Sequence, residues 1–380
     1  MSAAVELAQS LIRLPSVTPR EAGTLDLLQG ELEALGFSCH RYPFGTGAER
    51  VDNLYARRGR AAPNFCFAGH VDVVPTGDAA RWQAPPFSGE VRDGQLWGRG
   101  AADMKGAIAA MVEAVRRVAD VPGSVSFLFT GDEEGPARHG TEPLLAAITA
   151  SGEVLDHCLV GEPTNPDRMG TTIKNGRRGS FNCEVTATGR QGHVAYPHRA
   201  ANPVPVLMDF LSALRARELD GGNAHFQPSN LEVTSVDVGN AAHNVIPEVA
   251  TAKFNIRFNT EHRGAKLKTW TRELAEHHST DGVSLALAVR VTGEAFLTEP
   301  SAFTALVQDA VEAKTGTRPE LSTSGGTSDA RYITRYCPVV EFGLVGATMH
   351  QVDERVDVAD IDRLAAIYAD VLRRYFAAFA

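Results

Sequence analysis

The stretch NFCFAGHVDVVP, residues 64–75, is the clearest fold signal in the chain: an apolar run without a helical repeat that ends in polar residues. Such a run is typical of a strand covered on both faces, as in a parallel sheet. Comparable runs occur at 124–130 and 158–160, and amphipathic helical patterns alternate with them at 5–14, 24–35, 104–118 and 142–150. The alternation predicts an α/β fold with a mixed, largely parallel sheet flanked by helices.

The pattern changes near residue 178. Strand patterns at 181–188, 231–238, 249–258 and 284–291 enclose helical patterns at 203–218 and 265–278. Their order, β-α-β-β-α-β, is that of a ferredoxin-like α+β module. The α/β alternation resumes after Gly293. The simplest interpretation is one large domain, residues 1–177 and 293–380, interrupted by an inserted smaller domain, residues 178–292.

Composition excludes several classes of protein. The 380 residues include 46 acidic and 37 basic ones, and a net charge of -9 gives no general attraction to nucleic acid or to an anionic membrane. The first helical stretch carries Glu6 and Gln9 and lacks a basic start, so we expect no signal peptide, and no apolar run is long enough to span a membrane. Five scattered cysteines without a C-x-x-C pair favour a reducing compartment, which predicts a cytoplasmic protein.

Two candidate metal ligands are His70, which follows an apolar run, and Asp103, which precedes a helix. His70 and Asp72 are two residues apart, so in extended chain they share a face, where the aspartate can hold the ring while the histidine binds a metal. A lone histidine at a strand end is more often structural. Asp103 lies in GRGAADMKG, residues 98–106, just before a helix, and helix capping explains it equally well.

Three more candidates occur later in the chain. TGDEEG, residues 130–135, places Glu133 and Glu134 side by side, so one can bind a metal while its neighbour addresses a water. Glu162 follows another apolar run, and His350 is isolated near the C-terminus. Each is weak alone, but the joint set of imidazoles and carboxylates matches what zinc takes. The candidate ligands are His70, Asp103, Glu134, Glu162 and His350.

A set of motifs carries a family resemblance. The strings GHVDVVP, GRGAADMKG, TGDEEG, VGEPT, KNGRRGS, GRQGHVAYPH, HNVIPE and SGGTSDAR occur in this order, nearly from end to end. The chain resembles the di-zinc amidohydrolase and peptidase family, which contains desuccinylases, acetylornithine deacetylases, aminoacylases and carboxypeptidases. Three of these motifs resemble the desuccinylase branch in particular, namely KNGRRGS, GRQGHVAYPH and SGGTSDAR. This resemblance implies hydrolysis of N-succinyl-L,L-diaminopimelate in lysine and diaminopimelate synthesis.

The resemblance also implies roles for the candidate ligands. Asp103 bridges two Zn²⁺ ions in each subunit, for which Co²⁺ can substitute. His70 and Glu162 bind one ion, and Glu134 and His350 bind the other. Glu133 becomes the general base, and Asp72 supports His70. Two metals about 3.5 to 4 Å apart lower the pKa of a bound water from about 15.7 toward 7.

A histidine outside the metal set gains a role only from the resemblance. Without the resemblance, the local sequence GRQGHVAYPH indicates only that His193 is a loop histidine. In the family the inserted domain, here 178–292, mediates homodimerisation, and the histidine matching His193 stabilises the oxyanion in the partner's active site. The resemblance therefore implies a homodimer that is required for activity.

Substrate contacts follow from the same branch. Arginine suits a substrate with several carboxylates, because its planar fork binds them bidentately. The implied contacts are Arg178, Ser180, Tyr196, Asn244, Arg257, Gly326 and Thr327. One position departs from the branch pattern, since Gly346 stands where an asparagine is usual, four residues before His350.

Two alternatives remain open. The same chemistry could act on another N-acyl amino acid such as acetylornithine, or on a dipeptide, and Gly346 is the feature that leaves this open. A non-catalytic zinc-binding scaffold is the second alternative, although a complete ligand set with Glu133 argues against it. Nucleotide binding has no support, because the glycine-rich segment at 324–328 lacks the lysine of a phosphate loop. A nucleophilic serine has no support either, because no G-x-S-x-G elbow is present.

Overall fold

The computed structural model describes residues 1–118 and 120–380. In chain order its helices are α1 (Ala3–Ile12), α2 (Thr24–Ala34), α3 (Gly106–Arg117), α4 (Thr141–Ala150), α5 (Pro203–Ala216), α6 (Gly264–His278), α7 (Ala302–Thr315), α8 (Ala330–Ile333) and α9 (Val358–Phe379). Its strands are β1 (Ser38–Arg41), β2 (Leu54–Arg58), β3 (Asn64–His70), β4 (Glu90–Arg92), β5 (Gln95–Trp97), β6 (Ser124–Thr130), β7 (His157–Val160), β8 (Thr172–Lys174), β9 (Gly176–Arg177), β10 (Gly179–Thr188), β11 (Gly192–His193), β12 (Asn230–Asp237), β13 (Val245–Ile246), β14 (Val249–Phe258), β15 (Ser284–Gly293), β16 (Phe296–Leu297), β17 (Glu320–Ser322), β18 (Val339–Glu341) and β19 (Arg355–Asp357).

The chain forms two compact units. The first unit consists of Met1–Asn175, Thr298–Ser322 and Ser328–Ala380, and the second unit of Gly176–Leu297 and Thr323–Thr327. The short segment 323–327, which the sequence interpretation left in the large domain, packs with the second unit. Within that unit Arg177 donates to the Gly326 carbonyl at 3.2 Å and Thr323 donates to the His225 carbonyl at 2.6 Å.

An eight-stranded sheet forms the centre of the first unit, in the order β1-β2-β6-β3-β7-β18-β8-β17. β3 runs parallel to both β6 and β7, β7 is parallel to β18, and β8 is parallel to β17, whereas β1–β2, β2–β6 and β8–β18 are antiparallel. Every residue of β3 and β6 is buried, as expected for strands with both faces covered. The predicted mixed, largely parallel sheet is confirmed.

Helices cover this sheet and share one hydrophobic core with it, to which α1, α2, α3, α7 and α9 all contribute. Their ends follow local sequence signals. The Ser2 side chain accepts a hydrogen bond from the Val5 amide at the start of α1, and α7 begins at a capping box formed by Ser301 and Thr304. α7 then ends at Gly316, whose left-handed backbone suits glycine.

The sheet places the ends of three strands side by side. β6, β3 and β7 are neighbours, and the register pairs His70 with Thr130 and Ala68 with Val160. Because these strands are parallel, their carboxyl ends meet at one edge, where α/β proteins commonly hold functional loops. The residues that follow each strand there include the acidic candidates of the sequence.

The second unit contains a four-stranded antiparallel sheet in the order β12-β14-β10-β15. Its main elements run β10-α5-β12-β14-α6-β15, which is the β-α-β-β-α-β order of a ferredoxin-like module. Inward residues alternate along β10 and β14 and form a separate core with Phe210 and Leu214 of α5 and Leu267 of α6. A core of its own gives this unit an independent source of stability.

Two further sequence expectations concern the cysteines and the membrane. All five cysteines are free thiols. Within the described ranges, none of the helices combines the length and the apolar character that crossing a bilayer requires.

A core prediction concerns Phe127, a buried residue of β6 whose ring contacts the rings of Phe37, Phe67 and Phe129 at centroid distances of 5.3, 5.7 and 5.3 Å. Phe127→Ala leaves a cavity among these rings, so we expect the free energy of unfolding to fall by about 3 to 5 kcal/mol in urea titrations. The control Val154→Ala, at a side chain that is 65% exposed, is expected to change it by less than about 0.5 kcal/mol. Equal losses in both variants contradict the assigned core.

Candidate metal centre

Five side chains from separate segments of the first unit meet in one cluster. His70, Asp103 and Glu134 offer donor atoms that all lie within 4.8 Å of one another. The Nε2 atom of His70 is 3.0 Å from Oδ1 of Asp103 and 3.8 Å from Oε1 of Glu162. The Nε2 atom of His350 is 3.3 Å from Oδ2 of Asp103 and 2.8 Å from Oε1 of Glu134. The five ligands predicted from the sequence therefore lie together.

Asp103 lies at the centre of this cluster, and its two carboxylate oxygens face different histidines. Oδ1 faces His70 and Oδ2 faces His350. Glu162 lies on the His70 side and Glu134 on the His350 side. The arrangement offers one nitrogen and one carboxylate on each side of a shared carboxylate, and this mixed nitrogen and oxygen set fits two divalent ions.

The electrostatics of the cluster also favour the binding of cations. Burial raises the pKa of Asp103, but hydrogen bonds with His350 and His70 outweigh that effect, so its pKa lies below its ordinary value. Burial and the nearby Asp103 carboxylate raise the pKa of Glu162 well above its ordinary value. Buried carboxylates are costly unless they are paired or bind a metal, so divalent cations satisfy this group of acids.

Glu133 lies beside the ligands on the loop that follows β6. Desolvation, together with the carboxylates of Asp329 and Glu134, raises the pKa of Glu133 to about 8, although His70 opposes the shift. A carboxyl group with a pKa near neutral can both accept and release a proton at physiological pH. This suits the proton-transfer role that the sequence predicts for it.

Asp72 differs in detail from its predicted contact. The Nδ1 atom of His70 faces the backbone carbonyl of Asp72 at 2.9 Å, whereas the Asp72 carboxylate is 3.9 Å away. That carboxylate accepts the backbone amides of Glu133 at 3.2 Å and Glu134 at 3.1 Å instead. β3 ends at His70, so the two-residue repeat of extended chain does not continue to Asp72. Asp72 therefore fixes the acidic loop, and its carbonyl orients the histidine ring.

Sequence reasoning missed Glu354, a fully buried carboxylate behind Asp103. Its Oε1 atom accepts the backbone amides of Ala102 at 2.9 Å and Asp103 at 3.2 Å, and its Oε2 atom accepts from Arg99 at 2.7 Å. Arg99 also donates to the carbonyls of Gln351 and Pro75, at 3.1 and 3.2 Å. This pair thus ties the segments that carry His70, Asp103 and His350. The only signal in the sequence is an acidic residue four places after His350, which is also typical of an exposed turn.

The remaining candidates all lie in the second unit. Ser180 of β10 pairs with Arg257 of β14, and Arg178, just before β10, donates to the Asn230 side chain at 2.8 Å. Burial, and to a smaller extent the positive charge of Arg257, lower the pKa of the Arg178 guanidinium. Among the described residues, no carboxylate forms an ion pair with Arg257. Gly326 and Thr327 lie in the segment that packs with this unit.

His193, Tyr196 and Asn244 form a second, exposed group in the same unit. β11, which ends at His193, pairs with β13, and the Val194 amide donates to the Asn244 carbonyl at 3.2 Å. The rings of His193 and Tyr196 are 5.7 Å apart, and Tyr196 is 51% exposed. These side chains are therefore accessible for contact with another molecule.

Comparison with known proteins identifies the family. Residues 66–374 match the model of peptidase family M20/M25/M40. The chain belongs to this family. The resemblance inferred from the motifs is thereby confirmed, and so is the prediction of a hydrolase.

Two curated relatives and two solved structures illustrate the likeness. The chain is 63% identical over 98% of its length to the succinyl-diaminopimelate desuccinylase of Maricaulis maris, covering 96% of it, and 61% identical over 99% to that of Caulobacter vibrioides, covering 97%. An M20 metallo-carboxypeptidase from Sulfolobus solfataricus has a TM-score of 0.83 at 17% identity, covering 99% of this chain and 100% of that one. A dinuclear metal-binding M20 peptidase from Bacillus subtilis has a TM-score of 0.71 at 17% identity, covering 98% and 97%. The structures share the fold, whereas the curated relatives match in sequence throughout.

The contacts of Glu354 generate a prediction about metal affinity. Glu354→Gln keeps the shape and one acceptor oxygen but turns an amide toward Arg99, so the backbone at Asp103 loses part of its anchor. We expect the affinity for Zn²⁺, measured by competition with a chromogenic chelator, to fall by about 10- to 100-fold. The control Asp357→Asn removes an exposed carboxylate three residues away and leaves the affinity unchanged. An unaltered affinity in Glu354→Gln contradicts the anchoring role.

Proposed function

We propose that the protein hydrolyses the amide bond of N-succinyl-L,L-diaminopimelate to succinate and L,L-diaminopimelate, a step in the synthesis of lysine and diaminopimelate. The observation that carries this proposal is the 63% identity, over nearly the whole chain, to a relative named succinyl-diaminopimelate desuccinylase. The clustered ligands and Glu133 support it, because they supply a complete set of groups for metal-assisted hydrolysis. The five free cysteines are consistent with action in the cytoplasm, which we also propose.

The metal ligands are proposed from the position of each side chain in the cluster. Asp103 would be shared between two Zn²⁺ ions, for which Co²⁺ can substitute. His70 and Glu162 would hold one ion, and Glu134 and His350 would hold the other. When bound, the metals polarise the substrate carbonyl and acidify a water.

The chain's own groups then move protons and hold charge. Glu133 takes a proton from the attacking water and returns it to the leaving amine, the two transfers that a positioned carboxylate beside the ligands can perform. Asp72 holds the backbone of Glu133 and Glu134, so the base stays in place while its charge changes. His193 donates a hydrogen bond to the oxyanion that develops on the carbonyl.

Substrate recognition falls to polar groups of the second unit. Arg178 and Arg257 offer positive charge for substrate carboxylates, since Arg178 donates to the neutral Asn230 side chain and Arg257 has no acidic partner among the described residues. The other proposed contacts are Ser180, Tyr196, Asn244, Gly326 and Thr327.

Gly346 is the feature that favours a second candidate, a deacylase of another N-acyl amino acid or a dipeptidase. A Cβ at this position would lie 3.3 Å from both the Met349 sulfur and the Pro163 Cβ, so a side chain here is crowded. The Gly346 amide donates to the Asn165 carbonyl at 2.9 Å. The position therefore offers no asparagine-like contact, and other groups must supply that part of the specificity.

A homodimer formed through residues 178–292 completes the proposal, with His193 acting in the partner's active site. The exposed position of His193 and Tyr196 supports action on another molecule. Exposed apolar side chains in the same unit, Met208 at 59% and Val236 at 54%, support a protein contact there.

The substrate assignment is tested by the specificity constant kcat/KM of zinc-loaded protein. We expect a strong preference for N-succinyl-L,L-diaminopimelate over N-acetylornithine and a simple dipeptide, and loss of turnover after chelation that added zinc restores. Preference for another substrate moves the protein to a sister activity, and no turnover on any of them overturns the enzymatic proposal.

The general base is tested by Glu133→Gln. The variant keeps the shape of the side chain but cannot accept a proton, so we expect kcat to fall by about 10² to 10⁴ or more. Metal content, measured by elemental analysis, is expected to match the wild type. Glu142→Gln, at a carboxylate in α4 that pairs with Arg335 on the surface, serves as the control and retains full turnover. Near-normal turnover in Glu133→Gln excludes the role.

Action of His193 across the dimer is tested with mixed dimers purified through two different tags. Glu133→Gln and His193→Ala are each inactive as homodimers, but a dimer of one with the other contains one intact site, so activity returns. The reverse pairing, wild type with the double variant Glu133→Gln/His193→Ala, contains no intact site and is expected to be inactive. Activity in the reverse pairing alone places His193 in the site of its own subunit.

A further inference from the structure

The loop between α5 and β12, residues 217–229, contacts two parts of the proposed substrate site in the second unit. Its Gln227 side chain lies against Arg178, and its His225 carbonyl accepts a hydrogen bond from Thr323 at 2.6 Å. Thr323 begins the segment 323–327, which carries two further proposed contacts. The loop itself contains none of the proposed substrate contacts, so its effect on a substrate must pass through these neighbours.

Asp220 closes the loop from within. Its carboxylate accepts the backbone amides of Gly222 at 2.7 Å and Ser229 at 3.2 Å, and the Asn259 side chain at 2.6 Å. Asn259 is fully buried, and its side chain also donates to the backbone carbonyl of Gln227 at 3.3 Å. The acidic group of Asp220 is thus used inside the loop, where it fixes the backbone that carries Gln227.

Gln227 presents an uncharged acceptor to Arg178. Its amide satisfies its hydrogen bonding only with the oxygen toward the guanidinium group, where it accepts from Nη1 at 2.9 Å and from Nη2 at 3.0 Å. Nη1 also donates to the side-chain oxygen of Asn230 at 2.8 Å. Within residues 1–118 and 120–380, no carboxylate forms an ion pair with Arg178. The guanidinium group is therefore held in place by neutral partners, without a protein group of opposite charge.

The neutral character of these partners matters for a substrate that carries carboxylates. A carboxylate binds an arginine more strongly than an amide does, because both groups are charged. A glutamate at position 227 would have the same shape as Gln227 but would pair with Arg178 and compete with the substrate. The glutamine instead orients the guanidinium group and leaves its charge available.

We propose that Gln227 is a positioning residue for substrate binding, which holds Arg178 through a neutral acceptor so that the arginine binds a carboxylate of the substrate. The inference rests on the proposed hydrolysis of a succinylated amino acid, for which Arg178 is a proposed contact. Asp220 and Asn259 act one step further away, because they fix the loop that carries Gln227.

The test compares Gln227→Glu with Gln227→Leu in zinc-loaded, full-length protein. Gln227→Glu gives Arg178 a charged partner, so we expect KM for N-succinyl-L,L-diaminopimelate to rise by about tenfold or more. The value of kcat should change less, because the metal ligands and Glu133 are unaltered. Gln227→Leu removes the acceptor without adding a charge, so KM should rise by a smaller factor.

The order of the two variants separates charge from structure. If Gln227 only supports the loop, Gln227→Leu is the more harmful change, because it loses both hydrogen bonds to Arg178. In the proposed role Gln227→Glu has the higher KM, although its Tm is no lower than that of Gln227→Leu, since it keeps a partner for the arginine. Asn230→Asp places a charge on the other neutral partner and repeats the test if Gln227→Glu does not fold.

A matched control makes the same change of charge elsewhere. Gln29→Glu, in α2 of the first unit, should leave KM unaltered. An unaltered KM in Gln227→Glu, a rise no greater than that in Gln227→Leu, or an equal rise in Gln29→Glu overturns the proposal.

Failure of the proposed hydrolysis is seen in the wild type and not in the variants. If the wild type does not turn over the succinyl substrate, succinate serves as a dicarboxylate probe, and its affinity is measured by isothermal titration calorimetry. Binding to the wild type that is weakened in Gln227→Glu supports the role of Gln227 at a carboxylate site. Absent binding, or equal binding to both proteins, overturns it.

Discussion

The arrangement of the metal centre depends on the carboxylate of Asp103. Its two oxygens face His70 and His350, and those histidines come from opposite ends of the chain. One side chain can serve both sides of the cluster only if its backbone is held rigidly, because a carboxylate has little freedom once both oxygens are engaged. The buried pair of Glu354 and Arg99 provides that support from behind.

The large sheet explains why the ligands converge at all. β6, β3 and β7 are adjacent and parallel, so the residues that follow them meet at one edge, although tens of residues separate them in the chain. β3 and β6 are buried along their whole length and are largely apolar, which keeps bulk water away from the support of the site. The same apolar runs that build the core thereby place the acids.

The sequence was sufficient to predict the site features that depend on residue type and on the position of apolar runs. It was not sufficient for features that depend on the backbone path after a strand or on the burial of a single side chain. The runs ending near His70 and Thr130 were sufficient to predict strands of a largely parallel sheet, and the five residues chosen for their zinc-binding chemistry lie together in the structure. Asp72 was assigned to the wrong contact, because the spacing of extended chain was applied beyond the end of β3. Glu354 was missed, because nothing in a one-dimensional sequence distinguishes a fully buried glutamate from one on a turn. Residues 323–327 were placed in the large domain, since their contacts with Arg177 and His225 are non-local.

Three buried carboxylates around the site share one mode of stabilisation. Asp72 accepts the amides of Glu133 and Glu134, Asp132 accepts those of Arg138 and His139, and Glu354 accepts those of Ala102 and Asp103. Backbone amides carry only partial charge, so they satisfy hydrogen bonding without cancelling the full negative charge. Arg99 forms an ion pair with Glu354 and balances its charge, whereas Asp72 and Asp132 have no arginine or lysine partner among the described residues. Burial is the main cause of the raised pKa of Glu133, about 8, and the carboxylates of Asp329 and Glu134 contribute to it. Asp72 and Asp132 therefore hold the acidic loop through its backbone and also add negative charge beside the metal centre.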